Sequence, residues 1–473
     1  MSGFFTPGEK KDRPGIYKRR LNVGATETAG ARAGIAAAVV TGDWGELNKA
    51  VILDASSDIS KYIGSDTGTG YKVISEIIRG GVQSVVVVRV GTGGTAATVN
   101  LVDTATTAAD VVSVTAKCPG TMPLSVGIRT NLTDPTLKDV TIYNGTKVLE
   151  TRTITAGTAE VDGVVAAFSD SEYVTVAKVA AGTGTLKEVS QSALTGGVQP
   201  TVNNAAYSAG FDAANTELFD VICVDTNDTD VHALLSAYIK RIFEGGDYGM
   251  AVIGEPGTVT LDNRITNAGA FDDEKIIYVL GGWNDASGNA YEGYVAAARI
   301  GGMVAAVPSN DSLTHASIDG AVSLTDAMTN AQIIKAIKAG CLVISRSKTG
   351  SIVIEKAINT LTTIDAEKDA GWKKIRRTKI RFEMMNRIEI TLDGYIGSVN
   401  NDVDGRAAII AAGQSVLDAM IGEGKILPGA TFAEDKNNPP EGDSAWFVIQ
   451  SDDIDSFETG YLTFRFRFAP ETE

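Results

Sequence analysis

The 473-residue sequence is poor in the residue types that most often carry chemistry. Its two histidines, His232 and His315, sit in no motif that would make either a general base or a metal ligand, so capping or surface roles are expected. Its three cysteines, Cys118, Cys223 and Cys341, are far apart and form no Cys-x-x-Cys or ligand-spaced Cys/His pair. That excludes a zinc or dithiol motif and fits a reducing compartment; Cys223 and Cys341 lie in apolar runs and read as buried thiols. Phosphate loops are missing as well. Gly91-Thr92-Gly93-Gly94 has Ala96 where a dinucleotide fingerprint needs glycine, and a Thr-rich stretch instead of a helix follows; it reads as a flexible domain junction. The Gly64–Lys72 stretch misses the P-loop spacing, and Asp225–Asp230 lacks the glycine and glutamate of a calcium loop, so it reads as a turn and helix cap. No Gly-x-Ser-x-Gly elbow occurs. No apolar run approaches the ~20 residues of a membrane-spanning helix, and the N-terminal residues lack the apolar core of a signal peptide. Basic charge is scarce: 42 Lys and Arg against 58 Asp and Glu give a net charge of −16, which opposes binding to nucleic acid or an anionic membrane. No catalytic, cofactor-binding or metal-binding residue is assigned, and no cofactor is expected.

What is present is enough apolar sequence, 44%, for several cores. Residues 1–20 carry Pro7, Pro14 and paired glycines and read as an extended arm with an apolar hook at Ile16 and Tyr17. From 21 to 94 an α/β pattern runs. Ile35–Thr41 is a buried strand, Tyr71–Arg79 has apolar residues at helical spacing, and Ser84–Val90 is a β-branched run of the kind buried on both faces of a parallel sheet. From 95 to 204 the chain turns Thr/Val/Ala/Gly-rich and reads as strands, including a hairpin in which Asn144-Gly145 supplies a type I′ turn. The α/β pattern resumes over 205–346, with an Ala/Gly-rich helix at 291–307 that must pack closely against a neighbour. Residues 347–473 form a last, α+β region. The fold class is therefore α/β and multidomain: a doubly wound core carrying an inserted β-rich domain, and a C-terminal α+β domain with exchanged terminal arms.

The C-terminal region is built for contact. Lys373, Lys374, Arg376, Arg377, Lys379, Arg381 and Arg387 stand against Glu383 alone, while the sequence from Glu434 onward is acidic. A solvated face explains such a run; so does an acidic partner. Residues 1–20 are basic, with six Lys and Arg against two Asp and Glu, and opposite-sign ends of one chain suit head-to-tail self-assembly. Ile380, Met384, Ile388 and Leu392 recur every four residues and predict a helix. Asp404 can cap a second helix with Ala407, Ile410, Gln414, Leu417 and Ile421 on one stripe; core packing explains that stripe, and the other faces are Ala-rich and lightly charged, smooth enough for close docking. The chain ends in a strict alternation, with Leu462, Phe464, Phe466 and Phe468 on one face and Tyr461, Thr463, Arg465 and Arg467 on the other. A terminal strand has a free edge that aggregates unless paired, or that another chain uses.

Several landmarks, in order, resemble those of the contractile tail sheath proteins of myophages, R-type bacteriocins and related injection machines. These are Arg13-Pro14-Gly15-Ile16-Tyr17, Leu194-Thr195-Gly196-Gly197, Ser312-Leu313-Thr314, and Tyr395-Ile396-Gly397 with Asn400-Asn401 and Gly405-Arg406. The position after the glycine pair where the family often has another glycine is Pro200 or nearby, so that junction departs from the pattern. The resemblance implies a structural subunit, not an enzyme. It implies hexameric rings stacked helically around an inner tube, with contraction driving the tube through a target envelope. Its partners would be other copies of itself, the tail tube protein, and baseplate and tail terminator proteins, in a virion tail or extracellular particle assembled in the bacterial cytoplasm. It assigns subunit contact to Arg13, Pro14, Gly15, Ile16, Tyr17 and to Tyr461, Leu462, Phe464, Phe466, Phe468, the last segment acting either as donor or as host. It assigns tube contact to Asp404, Arg406, Ala407, Ile410, Gln414, Leu417 and Ile421. A Rossmann-like enzyme with a β insertion and a non-contractile tube or surface-layer protein are the alternatives.

Overall fold

The structure, a computed structural model, describes residues 34–366 and 368–467 and the backbone of two short strands, Ser2–Phe4 and Ile16–Lys18. The chain divides into two compact units, one of residues 32–383 with 453–473, the other of 1–31 with 384–452.

The larger unit is organised by an eight-stranded sheet. Its six central strands, Ser84–Arg89, Ile35–Val40, Val221–Val224, Met250–Gly254, Ile276–Leu280 and Cys341–Arg346, are mutually parallel in that spatial order. Ala50–Asp54 closes one edge antiparallel, and Ile352–Ile354 closes the other. The strands are apolar runs because both faces are covered. Ala36, Ala38 and Val40 point into one core with helices Thr69–Arg79 and Tyr294–Ala306. Ala37 and Val39 point into the other, with helices Asn204–Ala214, Thr229–Glu244, Leu261–Gly269 and Asn330–Lys338.

The close partner of the Ala/Gly helix is helix Thr69–Arg79. A Cβ on Gly302 would lie 2.2 Å from the Ile77 carbonyl oxygen, and one on Gly301 would lie 2.5 Å from Cys223 Sγ. Small residues let the two backbones meet, and the seam encloses a buried ion pair, Glu76–Arg299, at 2.6 Å.

The boundary expected at 347 is corrected. Ile352–Ile354 is an edge strand of the core sheet, and Thr360 N donates to Ile276 O (2.8 Å), so the chain stays with the larger unit as far as residue 383.

The β-rich insertion is two facing sheets. One has the order Lys147–Thr155, Leu137–Asn144, Leu124–Thr130, Val189–Ala193; the other Val174–Lys178, Asp110–Ala116, Thr98–Val102. Val112, Val114, Val126 and Ile142 fill the space between them. The hairpin forms one residue later than its Asn-Gly pair predicts. Asn144 pairs with Lys147, the turn is Gly145-Thr146, and the positive φ (+58°) falls on Gly145, as a type II′ turn requires.

The junction is no flexible tether. Thr92 pairs with Thr201, Thr95 with Val198 and Thr98 with Thr195, so the chains entering and leaving the insertion form a ladder. Buried Arg89 bridges the parts: its guanidinium donates to the carbonyls of Gly42 (2.9 Å), Gly45 (2.6 Å) and Pro119 (2.9 Å). Trp44, from the core, is buried within the insertion's apolar cluster.

In the smaller unit, helix Val403–Gly422 packs on the antiparallel pair Thr431–Glu434 and Phe447–Gln450. Gly413 admits the Phe432 ring, which would lie 2.5 Å from a Cβ there, beside buried Val416, Leu417 and Met420. The Ile16–Lys18 strand pairs in parallel with Ser2–Phe4.

Candidate assembly surface

The crevice where an open α/β sheet commonly takes its ligand lies beyond the carboxyl ends of Ile35–Val40 and Val221–Val224, where the strand order reverses. Asp225 occupies it and is tied to the protein itself. One carboxylate oxygen accepts from Thr41 N (2.9 Å), Thr41 Oγ1 (2.5 Å) and Thr69 Oγ1 (2.6 Å), the other from Tyr207 Oη (2.8 Å). Asp228 caps helix Thr229–Glu244 through Asp230 N, as the sequence indicates. His232, read as a capping or surface residue, is buried on that helix; Nε2 meets the Thr226 carbonyl at 3.0 Å, and burial lowers its pKa. His315 is exposed.

The contact features gather in the C-terminal third. Helix Ile375–Asp393 forms as its four-residue period predicts, with Ile380 and Ile388 buried. Lys374, Arg377, Arg381 and Arg387 of its basic run pair with carboxylates of their own chain, Arg387 with Glu423 at 2.7 Å. Asp453 receives Arg377 Nε and Nη2 at 2.6 and 2.7 Å and Arg381 at 3.1 Å; Arg381 also holds Asp369 at 2.9 Å, and Lys374 holds Asp455 and Glu458 at 2.7 and 3.0 Å. Part of the charge that the sequence offers for contact between copies, Lys374, Arg377 and Arg381 against the acidic end, therefore meets within one.

Burial pushes the Asp453 carboxyl up, but hydrogen bonds from Arg377 and Arg381 outweigh it and hold the pKa below its ordinary value. Asp369 is held low by Arg381. A depressed folded pKa gives stability that is present above the unfolded carboxyl's pKa, about 4, and is lost as pH falls through the folded value. Thermal melts of the wild type are accordingly expected to drop below pH 4, and Asp453→Asn to show a shallower drop; parallel acid profiles for the two would contradict the assignment.

Residues 459–467, the last of the described residues, are exposed. Tyr461, Leu462, Phe464 and Phe466 are 94, 81, 71 and 91% exposed. The strand expected there forms with nothing among the described residues, although the Phe464 and Phe466 rings stack on one side at 6.2 Å, as the alternation predicts. Phe468, like Arg13, Pro14 and Gly15, lies outside the described residues; Ile16 and Tyr17 lie in the parallel arm pair.

The helix assigned to tube contact forms, with two corrections. Its cap is Asp402, which accepts from Gly405 N at 2.8 Å; Asp404 is exposed in the first turn. The proposed stripe turns largely inward. Leu417 is fully buried, Gln414 accepts from Phe432 N (3.0 Å) and donates to the Ala430 carbonyl (3.1 Å), and Arg406 pairs with Glu434 (2.8 Å). Ile410 and Ile421 are half-buried and Ala407 is exposed. The exposed side is Val403, Ala407, Ala411, Ser415 and Asp418.

The Asn-Asn and Gly-Arg landmarks form a knot at the helix start. Asn401 donates to the carbonyls of Gly442 and Ser444 (both 3.0 Å), and Gly405 sits so close to the Asn400 carbonyl that a Cβ would be 1.9 Å from it. Sequence reasoning missed Asp402, Asn401 and Asp453 in these roles. The run Asn400-Asn401-Asp402 ahead of a helix signals a cap, but nothing local signals a pairing across 76 residues such as Arg377–Asp453.

The model of the phage tail sheath protein central domain matches residues 201–360, and that of the phage tail sheath protein beta-sandwich domain matches residues 92–201. The chain belongs to the phage tail sheath proteins, a structural family. It is 27% identical over 406 residues to the uncharacterized protein YqbK of Bacillus subtilis (strain 168), covering 84% of this chain and 83% of that one. To the phage-like element PBSX protein XkdK of the same organism it is 26% identical over 418 residues, covering 85% and 81%. Among solved structures, the sheath tail protein of Desulfitobacterium hafniense superposes with a TM-score of 0.71 at 22% identity, over 93% of this chain and 100% of that one. The sheath of an extracellular contractile injection system, the PVC sheath complex in its contracted state, superposes at 0.55 and 10% identity, over 97% and 98%.

Proposed function

We propose that this chain is the repeating subunit of a contractile tail sheath, and that copies join by strand exchange between terminal segments and the small C-terminal sheet. The observation that carries this reading is the tail: an alternating apolar segment, exposed from Tyr461 to Arg467, while the strands of the core sheet bury their apolar runs. The receiving element is the pair Thr431–Glu434 and Phe447–Gln450. Two strands alone are marginally stable in water, and Trp446, Val448 and Ile449 stay 42, 39 and 39% exposed beside them. Added strands supply backbone hydrogen bonds and cover those side chains.

The copies stack as six-membered rings around a tube, with the baseplate and a terminator at the ends, in a phage tail or an extracellular particle assembled in the host cytoplasm. The tube is met by the exposed helix face Val403, Ala407, Ala411 and Ser415, whose small side chains permit close approach. Backbone-paired arms tolerate rotation of the subunits, while the contacts between α/β domains are remade, so contraction gains a modest free energy per subunit summed over many.

Removing residues 1–20 tests the arm's part. The truncated protein is expected to keep its circular dichroism spectrum and melting temperature but to give no tubes in electron micrographs; tubes of normal yield would refute strand donation by this arm.

A further inference from the structure

From Asp453 to Arg467 the apolar side chains are half-buried or exposed, and none is fully buried. The attachment of this segment to the larger unit therefore rests on polar contacts. Asp453 is gripped by two arginines, Arg377 and Arg381, at 2.6 to 3.1 Å. Arg381 is itself fixed by Asp369 and by the Trp372 ring, 4.5 Å away. Two residues on, Lys374 reaches both Asp455 and Glu458, and Glu458 also accepts from Thr314 Oγ1 at 3.1 Å. The cluster lies where the chain re-enters the larger unit and ends where the exposed tail begins.

We propose that these ion pairs are a clasp that fixes the point at which the C-terminal tail leaves the subunit, making Asp453, Asp455 and Glu458 positioning residues for transfer of the tail to a second copy. This rests on the strand-exchange reading above. With the clasp closed, the free tail starts after Glu458, so its described part spans at most about 30 Å at ~3.3 Å per residue. With it open, the free segment begins at residue 453 and gains roughly 20 Å of slack. A longer, looser tether lowers the effective concentration of the tail at its acceptor and leaves its register less defined. A closed clasp also passes tension on the tail to helix Ile375–Asp393.

The test measures the critical concentration for tube formation of the full-length protein by light scattering, with electron microscopy of the product. Neutralising the clasp (D453N/D455N/E458Q) is expected to raise it about tenfold, in line with a lost tether constraint, and to speed hydrogen exchange over 453–458. Restoring pairs with reversed sign (K374E/D455K/E458K) is expected to return it to within about threefold of wild type. Arg377→Lys keeps the charge and loses the paired hydrogen bonds; it should raise the value less than neutralisation does, and it decides the matter if the neutralised protein melts early. Wild-type critical concentrations for the neutralised protein, or for R377K where that variant decides, overturn the proposal. A protein ending at Glu458 separates the two ideas. If it assembles normally, the tail reading itself fails; if it does not assemble while the neutralised clasp assembles like wild type, only the clasp falls.

Discussion

Replacing Leu462, Phe464 and Phe466 together by serine is expected to abolish tube formation and leave the monomer intact. The three side chains are 81, 71 and 91% exposed, so their removal takes little packing from the isolated fold. Exposed positions of this kind change stability by about 0.5 kcal/mol or less each. The cost falls on assembly. They share one face of the alternating segment, the face an acceptor sheet would bury. Each buried apolar side chain contributes roughly 1.5–3 kcal/mol, so the three together remove at least about 5 kcal/mol per tail. That is more than about three orders of magnitude in affinity at each junction, and a lattice repeats the junction at every subunit. Sedimentation velocity at a concentration where the wild type polymerises, read with the melting temperature, checks both halves. Equal loss of assembly and of thermal stability would mean that the tail serves the fold, not the lattice.

The largest expected effect on the fold itself is that of Gly302→Val. Helix Tyr294–Ala306 runs against helix Thr69–Arg79 with the Ile77 carbonyl 2.2 Å from where a Cβ would stand, and Gly80 Cα is 3.0 Å from the same point. Backbone cannot yield as a flexible side chain can, so the helices must separate. Separation opens the core around Ile77, Val304 and Ile300 and loosens the buried Glu76–Arg299 pair, whose charges have left water and depend on each other. Overpacking and the loosened pair together should cost about 3 kcal/mol or more. Urea unfolding is expected to show a lower midpoint with an unchanged slope, or no soluble protein at all. Gly394→Ala, at a position with nothing within 4 Å of the new Cβ, is the control and should shift the midpoint little. A midpoint for G302V within error of that control would remove the close-packed seam from this account.

The elements legible in the sequence were those whose burial is periodic. Ser84–Val90 reads as a central strand because both faces are covered, and Tyr71–Arg79 reads as a helix because one face is. The edge strand Ile352–Ile354 was not legible. Three apolar residues after a Ser-Lys-Thr-Gly turn carry no period, and the strand exists through pairing with Cys341–Arg346. The Asn144-Gly145 pair marked the hairpin correctly but not its register, which the alignment of the flanking strands sets one residue later. His232 looked like a surface residue because a histidine's burial depends on what packs over its helix.

At the candidate site, periodicity found helix Val403–Gly422 but not its rotation. Gln414, placed on the stripe, faces inward and holds Ala430 and Phe432 by their backbone. Two carboxylates stood within reach of the cap; the approach of Gly405 to Asn400 places the cap at Asp402. The basic run and the acidic end were both visible as charge, but which charges meet is fixed by the fold.

The central claim is that copies of this chain are joined by the C-terminal tail. The most direct measurement is a high-resolution electron cryomicroscopy map of tubes grown from the purified protein. The account predicts Tyr461–Arg467 as an added strand on Thr431–Glu434 or Phe447–Gln450 of another copy, with Leu462, Phe464 and Phe466 covered. A map in which that segment lies in solvent or folds back on its own chain would contradict it.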